Sequence, residues 1–185
     1  YNATLKGLEF DLQLQFRKMR NFMKGVVFSA NLTLMDSKMN YFETLKSRIK
    51  NPDFTPGGTE KPFLPTNSDI IYTDRLLKQP SLLFNVSLGY DYKKFSGRIS
   101  CNYQDGVLIA EQHRQDAADV ESTRPFVKWD MQLKYSLTRQ FSLYATLSNF
   151  TQSSDRKRRD ITNYPSRVEY YGSAAYIGFK YDIFK

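Results

Sequence analysis

Strict alternation of apolar and polar residues is the feature that most limits the folds open to this chain. From Leu8 to Arg17, apolar side chains occupy every even position and polar or charged side chains occupy every odd one. Such alternation puts one class of side chain on each face of a β-strand, whereas a helix would scatter both classes around its axis. The rule also holds in Val127–Ser136, and in Leu82–Tyr92 with Leu83 as its exception. The pattern predicts an all-β chain.

Weaker copies of this alternation bring the number of predicted strands to seven. In chain order the strands are Leu8–Arg17, Val26–Met35, Leu82–Tyr92, Phe95–Gln104, Val127–Ser136, Phe141–Ser148 and Ala174–Ile183. Their lengths are close to the ~9–11 residues with which a tilted strand crosses a bilayer. No apolar run approaches the ~18 residues of a membrane helix, which excludes a helical membrane protein.

The connections between these strands fall into two length classes that alternate along the chain. The short ones are Lys18–Lys24, Lys93–Lys94 and Leu137–Gln140, and the long ones are Asp36–Ser81, Asp105–Phe126 and Asn149–Arg167. Short turns on one side and long loops on the other are typical of outer-membrane barrels, and soluble sandwiches do not usually segregate loop lengths so consistently. An eighth strand within the first long connection, at Asn67–Thr73, is an alternative.

The alternation also predicts which residues share a face of the sheet. In a membrane barrel, the apolar stripe would face lipid and the charged stripe would line a wet lumen. The residues expected to face lipid are Phe10, Leu12, Ile99, Trp129, Leu133 and Phe179, and those expected to face the lumen are Asp11, Arg98, Lys128 and Asp130. A less favoured alternative is a soluble β-barrel binding module, in which the apolar faces would point inward around a ligand.

Composition narrows the chemistry that the chain can perform. Its 185 residues include 27 basic and 19 acidic side chains, which gives a net charge of +8. One cysteine, Cys101, excludes an internal disulfide framework, and one histidine, His113, excludes most zinc and iron sites. Neither a nucleophile elbow nor phosphate-loop spacing occurs, and Glu9 with Asp11 is better explained as charge lining a lumen. We therefore expect no catalytic residue, no metal site and no cofactor.

A basic run at Arg156–Arg159 lies within the third long connection. Its arginines, Arg156, Arg158 and Arg159, are the candidate contacts for an anionic group on a ligand. The simpler alternative is a solvated loop tip. Nucleic acid is not an expected partner, because no aromatic platform accompanies the charges on one face.

Five segments of the chain carry short motifs in a definite order. They are Leu5–Phe16, Lys24–Ser37, Gln79–Tyr92, Leu147–Thr151 (LSNFT) and Tyr170–Phe184. Together they resemble the C-terminal end of a TonB-dependent outer-membrane receptor. The resemblance implies a 22-stranded barrel plugged by an N-terminal domain, of which residues 1–185 would supply the last seven strands. The plug, the TonB-contacting segment and the earlier strands would then be absent, which agrees with the odd number of predicted strands.

What the resemblance implies about function is import of a scarce nutrient across a Gram-negative outer membrane. The nutrient could be siderophore-bound iron, haem, cobalamin, a glycan or a peptide. Implied partners are outer-membrane lipid, the TonB complex through the absent N-terminal part, and the barrel-assembly machinery. That machinery would read a C-terminal signal, here Phe179, Tyr181, Ile183 and Phe184. A passive pore or a structural barrel is the alternative function on the same architecture.

Overall fold

The fold consists of antiparallel β-strands joined by turns and one 3-10 helix. A computed structural model describes residues 2–16, 21–59, 61–114, 117–159 and 164–183. Its elements are β1 (Ala3–Gln15), η1 (Asn21–Gly25), β2 (Val26–Lys50), β3 (Phe63–Asp74), β4 (Leu82–Tyr92), β5 (Phe95–Gln104), β6 (Leu108–Arg114), β7 (Ala117–Thr123), β8 (Phe126–Ser136), β9 (Phe141–Ser148), β10 (Ser154–Arg159), β11 (Pro165–Tyr170) and β12 (Ala174–Tyr181). Across these described ranges, no helix has the length and apolar content needed to cross a membrane.

The main sheet has eight strands, and seven of them correspond to the predicted ones. Its order is β1-β2-β4-β5-β8-β9-β12, with β3 added on β2. Every pairing in it is antiparallel. The prediction of an all-β, antiparallel chain is therefore confirmed.

The predicted number of strands is wrong, because the long connections contain five further strands. In the first connection, β2 continues to Lys50 and pairs there with β3, which contains the alternative strand at Asn67–Thr73. This hairpin carries polar side chains on both faces, so the contrast on which an alternation argument depends is missing. β3 and β4 follow each other along one edge of β2, and the added strand therefore leaves the direction of all later strands unchanged.

The other two long connections form a second, four-stranded sheet in the order β11-β10-β7-β6. They were expected to be loops, and the basic run at Arg156–Arg159 was expected at a loop tip. That run instead lies within β10, which pairs with β7 and β11. Leu108 at the start of β6 is 2% exposed and Val107 before it is 8% exposed, so the apolar entry into the second sheet is buried.

The register of the main sheet places whole rows of similar side chains next to one another. Directly opposed residues of antiparallel strands point to the same face. One row crosses five strands through Phe10, Leu32, Phe84, Tyr103 and Val127, and the next row crosses them through Asp11, Asn31, Asn85, Asn102 and Lys128. Outside the β2–β3 hairpin, the main sheet thus has one apolar face and one polar face.

The apolar face carries large exposed side chains. Ile177 is 87% exposed, Phe179 is 69% exposed and Leu8 is 62% exposed. Among the described residues, β1 pairs in the sheet only with β2 and β12 only with β9, so these two strands are the edges of an open sheet.

Candidate functional site

The second sheet lies at the long-connection end of the main sheet, where backbone hydrogen bonds hold the adjoining segments. In the β3–β4 connection the Lys78 N–H donates to Leu108 O of β6 at 2.7 Å, and in the segment that leads from β9 to β10 the Phe150 N–H donates to Trp129 O of β8 at 3.1 Å. Within the second sheet region, the Arg124 N–H donates to Arg156 O at 2.7 Å. These bonds bring the second and third long connections together, although more than thirty residues separate Arg124 from Arg156 in sequence.

Asn149 fixes the point at which the third long connection leaves the main sheet. It is 5% exposed and has a φ of 50°, a left-handed conformation that asparagine tolerates better than most residues. Its side-chain Nδ2 donates to Gly172 O at 2.8 Å, and its backbone N–H donates to Asp130 Oδ1 at 2.8 Å. Asp130 also accepts from Ser148 Oγ at 2.9 Å and pairs with Lys128 Nζ at 3.2 Å. Asp130, which was predicted to face a lumen, therefore binds the residues at the C-terminal end of β9.

A cavity of about 460 Å³ opens where the polar face of the main sheet meets the second sheet. That volume lies in the range of ~300–1,000 Å³ that is usual for small-ligand sites. The ring of Phe126 meets the ring of Tyr171 edge-on, with centroids 6.3 Å apart and planes at 85°. The lining residues are Gln104, Asp105, Val107, Thr123, Arg124, Phe126, Asp155 and Tyr171.

Three charged residues line this cavity, and one of them, Asp105, is held by hydrogen bonds. Asp105 accepts hydrogen bonds from Ser81 Oγ at 2.5 Å and from the Gly106 N–H at 2.8 Å. Arg124 and Asp155 also line the cavity and are thereby placed to contact a ligand of mixed charge. The cavity has an aromatic wall with both signs of charge around it, a combination suited to orienting a small ligand.

Tyr171 is also connected to the charges of β11. Its hydroxyl donates to Glu169 Oε2 at 2.8 Å, and Arg167 Nη2 lies 2.5 Å from Glu169 Oε1. The hydrogen bond from Tyr171, followed by the charge of Arg167, lowers the pKa of Glu169. The same hydrogen bond favours the protonated phenol and raises the pKa of Tyr171.

The three predicted ligand arginines do not share one face of β10. Arg158 and Arg159 are consecutive in the register of β10 with β7, so their side chains point to opposite faces of the strand. Arg156 is exposed and its Nε donates to Ser154 Oγ at 3.0 Å. The cavity is lined instead by their neighbour Asp155, which alternation alone could not single out because the predicted loop had no assigned register.

The other predicted site residues lie on the faces that the alternation assigned to them. Asp11, Arg98, Lys128 and Asp130 lie on the polar face, and Phe10, Leu12, Ile99, Trp129, Leu133 and Phe179 lie on the apolar face. On the polar face, Ser29 Oγ and Ser87 Oγ share a hydrogen bond of 2.9 Å, and Asn31 Nδ2 donates to Glu9 Oε1 at 3.2 Å. Whether this face lines a lumen remains a prediction.

Of the four residues predicted as an assembly signal, two lie within β12 and two follow it in the sequence. Phe179 and Tyr181 are exposed within the strand, whose pairing with β9 runs from Ala174 to Tyr181 in one uninterrupted register. Ile183 follows the strand and is 71% exposed. Phe184 lies outside the described residues.

Within the described part of the chain, no group of three or more histidine, cysteine, aspartate or glutamate residues could hold a metal ion. Comparisons with known proteins add no further assignment: no family model, no curated protein and no solved structure matches this chain.

Proposed function

We propose that this chain forms the C-terminal strands of a TonB-dependent receptor barrel in a Gram-negative outer membrane and takes part in importing a scarce nutrient. The observation that carries the proposal is the separation of the main sheet into an apolar and a polar face across seven neighbouring strands. Rows such as Leu12, Ala30, Val86, Cys101 and Trp129 keep the apolar class from strand to strand. This is the pattern of a sheet with lipid on one side and water on the other.

The exposure of the apolar face supports lipid as its environment. Burial of apolar surface away from water is favourable by roughly 25 cal/mol per Å², and large exposed apolar patches mark interaction or membrane surfaces. Phe10 is 56% exposed and Phe179 is 69% exposed, and both belong to this face. A soluble binding module would instead need a second layer over the face, and no other element of the described chain provides one.

Two features favour a receptor over a passive pore. The second sheet lies at the long-connection end of the main sheet, and the aromatic cavity at their junction can hold a small ligand. An open pore has no need of such a cavity. The resemblance to TonB-dependent receptors adds the source of energy, since release of a tightly held nutrient into the periplasm requires work.

The membrane part of the proposal is tested with two adjacent single-cysteine variants. In a Cys101→Ser background and in the longest natural chain that contains these residues, Leu12→Cys would be placed on the apolar face and Gln13→Cys on the polar face. After reconstitution in vesicles, a water-soluble maleimide should label Gln13→Cys and leave Leu12→Cys largely unlabelled. Both should react after denaturation, and equal labelling in vesicles would refute lipid contact.

The transport part is tested in cells that depend on the parent protein. Nutrient uptake should stop when the TonB complex is removed or the proton gradient is collapsed. Uptake that persists under both conditions would identify a passive pore. The variants Arg156→Glu, Arg158→Glu and Arg159→Glu, combined in one protein, then show whether the basic run contributes to ligand capture.

A further inference from the structure

The short turns form one continuous strip at the end of the main sheet opposite the second sheet. Gly25, at the end of η1, packs so closely on Asp91 that an added Cβ would lie 2.3 Å from the Asp91 carbonyl oxygen. Next along the strip, the Ser136 N–H donates to Lys94 O at 2.8 Å. Beyond that turn, the Asp182 N–H donates to Gln140 O at 2.9 Å. The ends of β4, β8 and β12 are thereby held side by side.

The exposed charges at the tips of these turns are basic. Lys24 lies in the last turn of η1, Lys93 and Lys94 form the turn between β4 and β5, and Arg139 lies in the turn between β8 and β9. All four side chains are exposed. We call Lys24, Lys93, Lys94 and Arg139 the basic turn edge.

The nearby acidic side chains are already engaged. Asp91 accepts from Ser96 Oγ at 2.5 Å, and Asp182 pairs with Lys180 Nζ at 2.9 Å. The basic side chains keep their charge available while making neutral contacts: Lys94 Nζ donates to Leu137 O at 2.9 Å, and Lys93 Nζ lies 5.1 Å from the centre of the Tyr92 ring. Hydrogen bonds with neutral groups leave these charges in place, so the edge has a surplus of positive charge because its four basic side chains outnumber the two acidic ones beside it.

Aromatic side chains of the apolar face follow directly behind this edge. Tyr92, Phe95 and Tyr135 lie opposite one another in the register, and the rings of Phe141 and Phe179 are 5.8 Å apart. Tyrosine and other aromatic rings favour the level of lipid headgroups, where one side is apolar and the other wet. A row of cations just outside an aromatic girdle lies at the depth of lipid phosphates.

We infer that the basic turn edge binds the anionic headgroups of phospholipids in the leaflet that the short turns face. This inference rests on the proposed membrane function, and adds to it the charge of the preferred lipid and the edge that recognises it. Lysine and arginine near an anionic surface contribute attraction that adds with each charge and weakens with salt.

The test compares the partitioning of the longest natural chain that contains these residues, purified in detergent, between two kinds of vesicle. One kind contains phosphatidylcholine alone and the other contains phosphatidylcholine mixed with phosphatidylglycerol. The variant combines Lys93→Gln, Lys94→Gln and Arg139→Gln. Its matched control combines Lys46→Gln, Arg48→Gln and Lys50→Gln. This control also removes two lysines and one arginine, but from exposed positions near the tip of the β2–β3 hairpin.

The wild-type chain, with three more charges at the membrane surface, should bind the anionic vesicles roughly 100-fold more strongly than the turn variant does. The turn variant should lose most of the preference for phosphatidylglycerol, whereas the hairpin control should keep it. High salt should abolish the preference, and inorganic phosphate at the same ionic strength should have no additional effect.

Each contrary outcome has a distinct meaning. Equal losses in the two variants would show that net charge alone drives binding, and would overturn the inference, as would a turn variant that keeps its preference. Displacement by inorganic phosphate beyond the effect of salt would identify a free-phosphate site instead. Failure of the wild-type chain to bind even phosphatidylcholine vesicles would count against the proposed membrane function itself, a result separate from loss of lipid preference.

Discussion

At the scale of single residues, the junction between the two sheets depends on a few polar side chains with several partners each. Asn149 binds Gly172 O, Ser153 O and Asp130 Oδ1, and its Oδ1 accepts from the Ser153 N–H at 3.0 Å. Since Asn149 is 5% exposed, any bond lost there would leave a polar group without water. The polar residues at this junction therefore fix the position of the second sheet and, with it, the cavity wall at Tyr171.

The pair of Tyr171 and Glu169 provides a titration that reports on this wall. The raised pKa of Tyr171 means that its phenol stabilises the folded state below the unfolded-state pKa, and that this stabilisation is lost as pH rises through the folded-state pKa. The lowered pKa of Glu169 matters at acidic pH. The ionised carboxylate stabilises the folded state above the unfolded-state pKa, and this stabilisation is lost as pH falls through the folded-state pKa.

Replacing Glu169 by Gln should move the ionisation of Tyr171 to lower pH, because the carboxylate that holds the phenolic proton is gone. The difference in tyrosinate absorbance between the parent chain and its Tyr171→Phe variant isolates this one residue. Arg167→Gln is the control, since it removes a charge that acts on Tyr171 in the opposite direction. An unchanged titration in Glu169→Gln would show that the hydrogen bond is not formed in solution.

At the scale of elements, the sequence predicted best where one face of a strand meets a different environment from the other. β4, β5, β8 and β9 lie within two residues of their predicted bounds because each has an apolar and a polar face. β3 and β10 were not predicted as regular strands, because both faces of each carry polar side chains and no apolar stripe alternates with them. Register between distant segments, such as Arg158 opposite Ser122, depends on tertiary contacts and could not be inferred from local alternation.

The cavity was missed for the same reason. Phe126 and Asp155 belong to two different predicted long connections, and Tyr171 lies between the second of these connections and the last predicted strand. Nothing in their spacing indicates that these three residues meet. The separation of faces, by contrast, follows from residues two positions apart and needs no tertiary knowledge. The sequence therefore predicted the apolar and polar faces of the main sheet more fully than the site at its end.

Two neighbouring substitutions in β8 compare the cost of a charge on the apolar face with its cost on the polar face. Leu133→Arg, on the apolar face, should destabilise the reconstituted barrel by ~2–4 kcal/mol if the residue lies near the bilayer midplane. Gln132→Arg, one position earlier on the polar face, should change the free energy of unfolding little. Denaturant titration in vesicles measures both values, and comparable losses would contradict lipid contact at Leu133.

At the scale of the whole molecule, the two free edges of the main sheet determine what the chain can do alone. β1 has 13 residues and β12 has 8, and the outer edge of each lacks a ladder partner among the described residues. Water can satisfy those backbone groups in solution, but the interior of a bilayer cannot, and each unsatisfied group there costs several kcal/mol. An open sheet with an apolar face is therefore unsuited both to water and to lipid.

We accordingly expect the 185-residue chain to require further strands, with β12 pairing to the first strand of a longer parent chain and β1 to the strand before it. Expressed alone, it should aggregate or bind detergent micelles as an open sheet, since neither edge can pair within the main sheet as observed. Planar-bilayer conductance is the measurement: erratic or absent currents are expected from the isolated chain, and discrete, uniform channels only when the missing strands are supplied. A stable pore of uniform conductance from these 185 residues would show that β1 and β12 close on each other, and the proposal of a larger barrel would then be wrong.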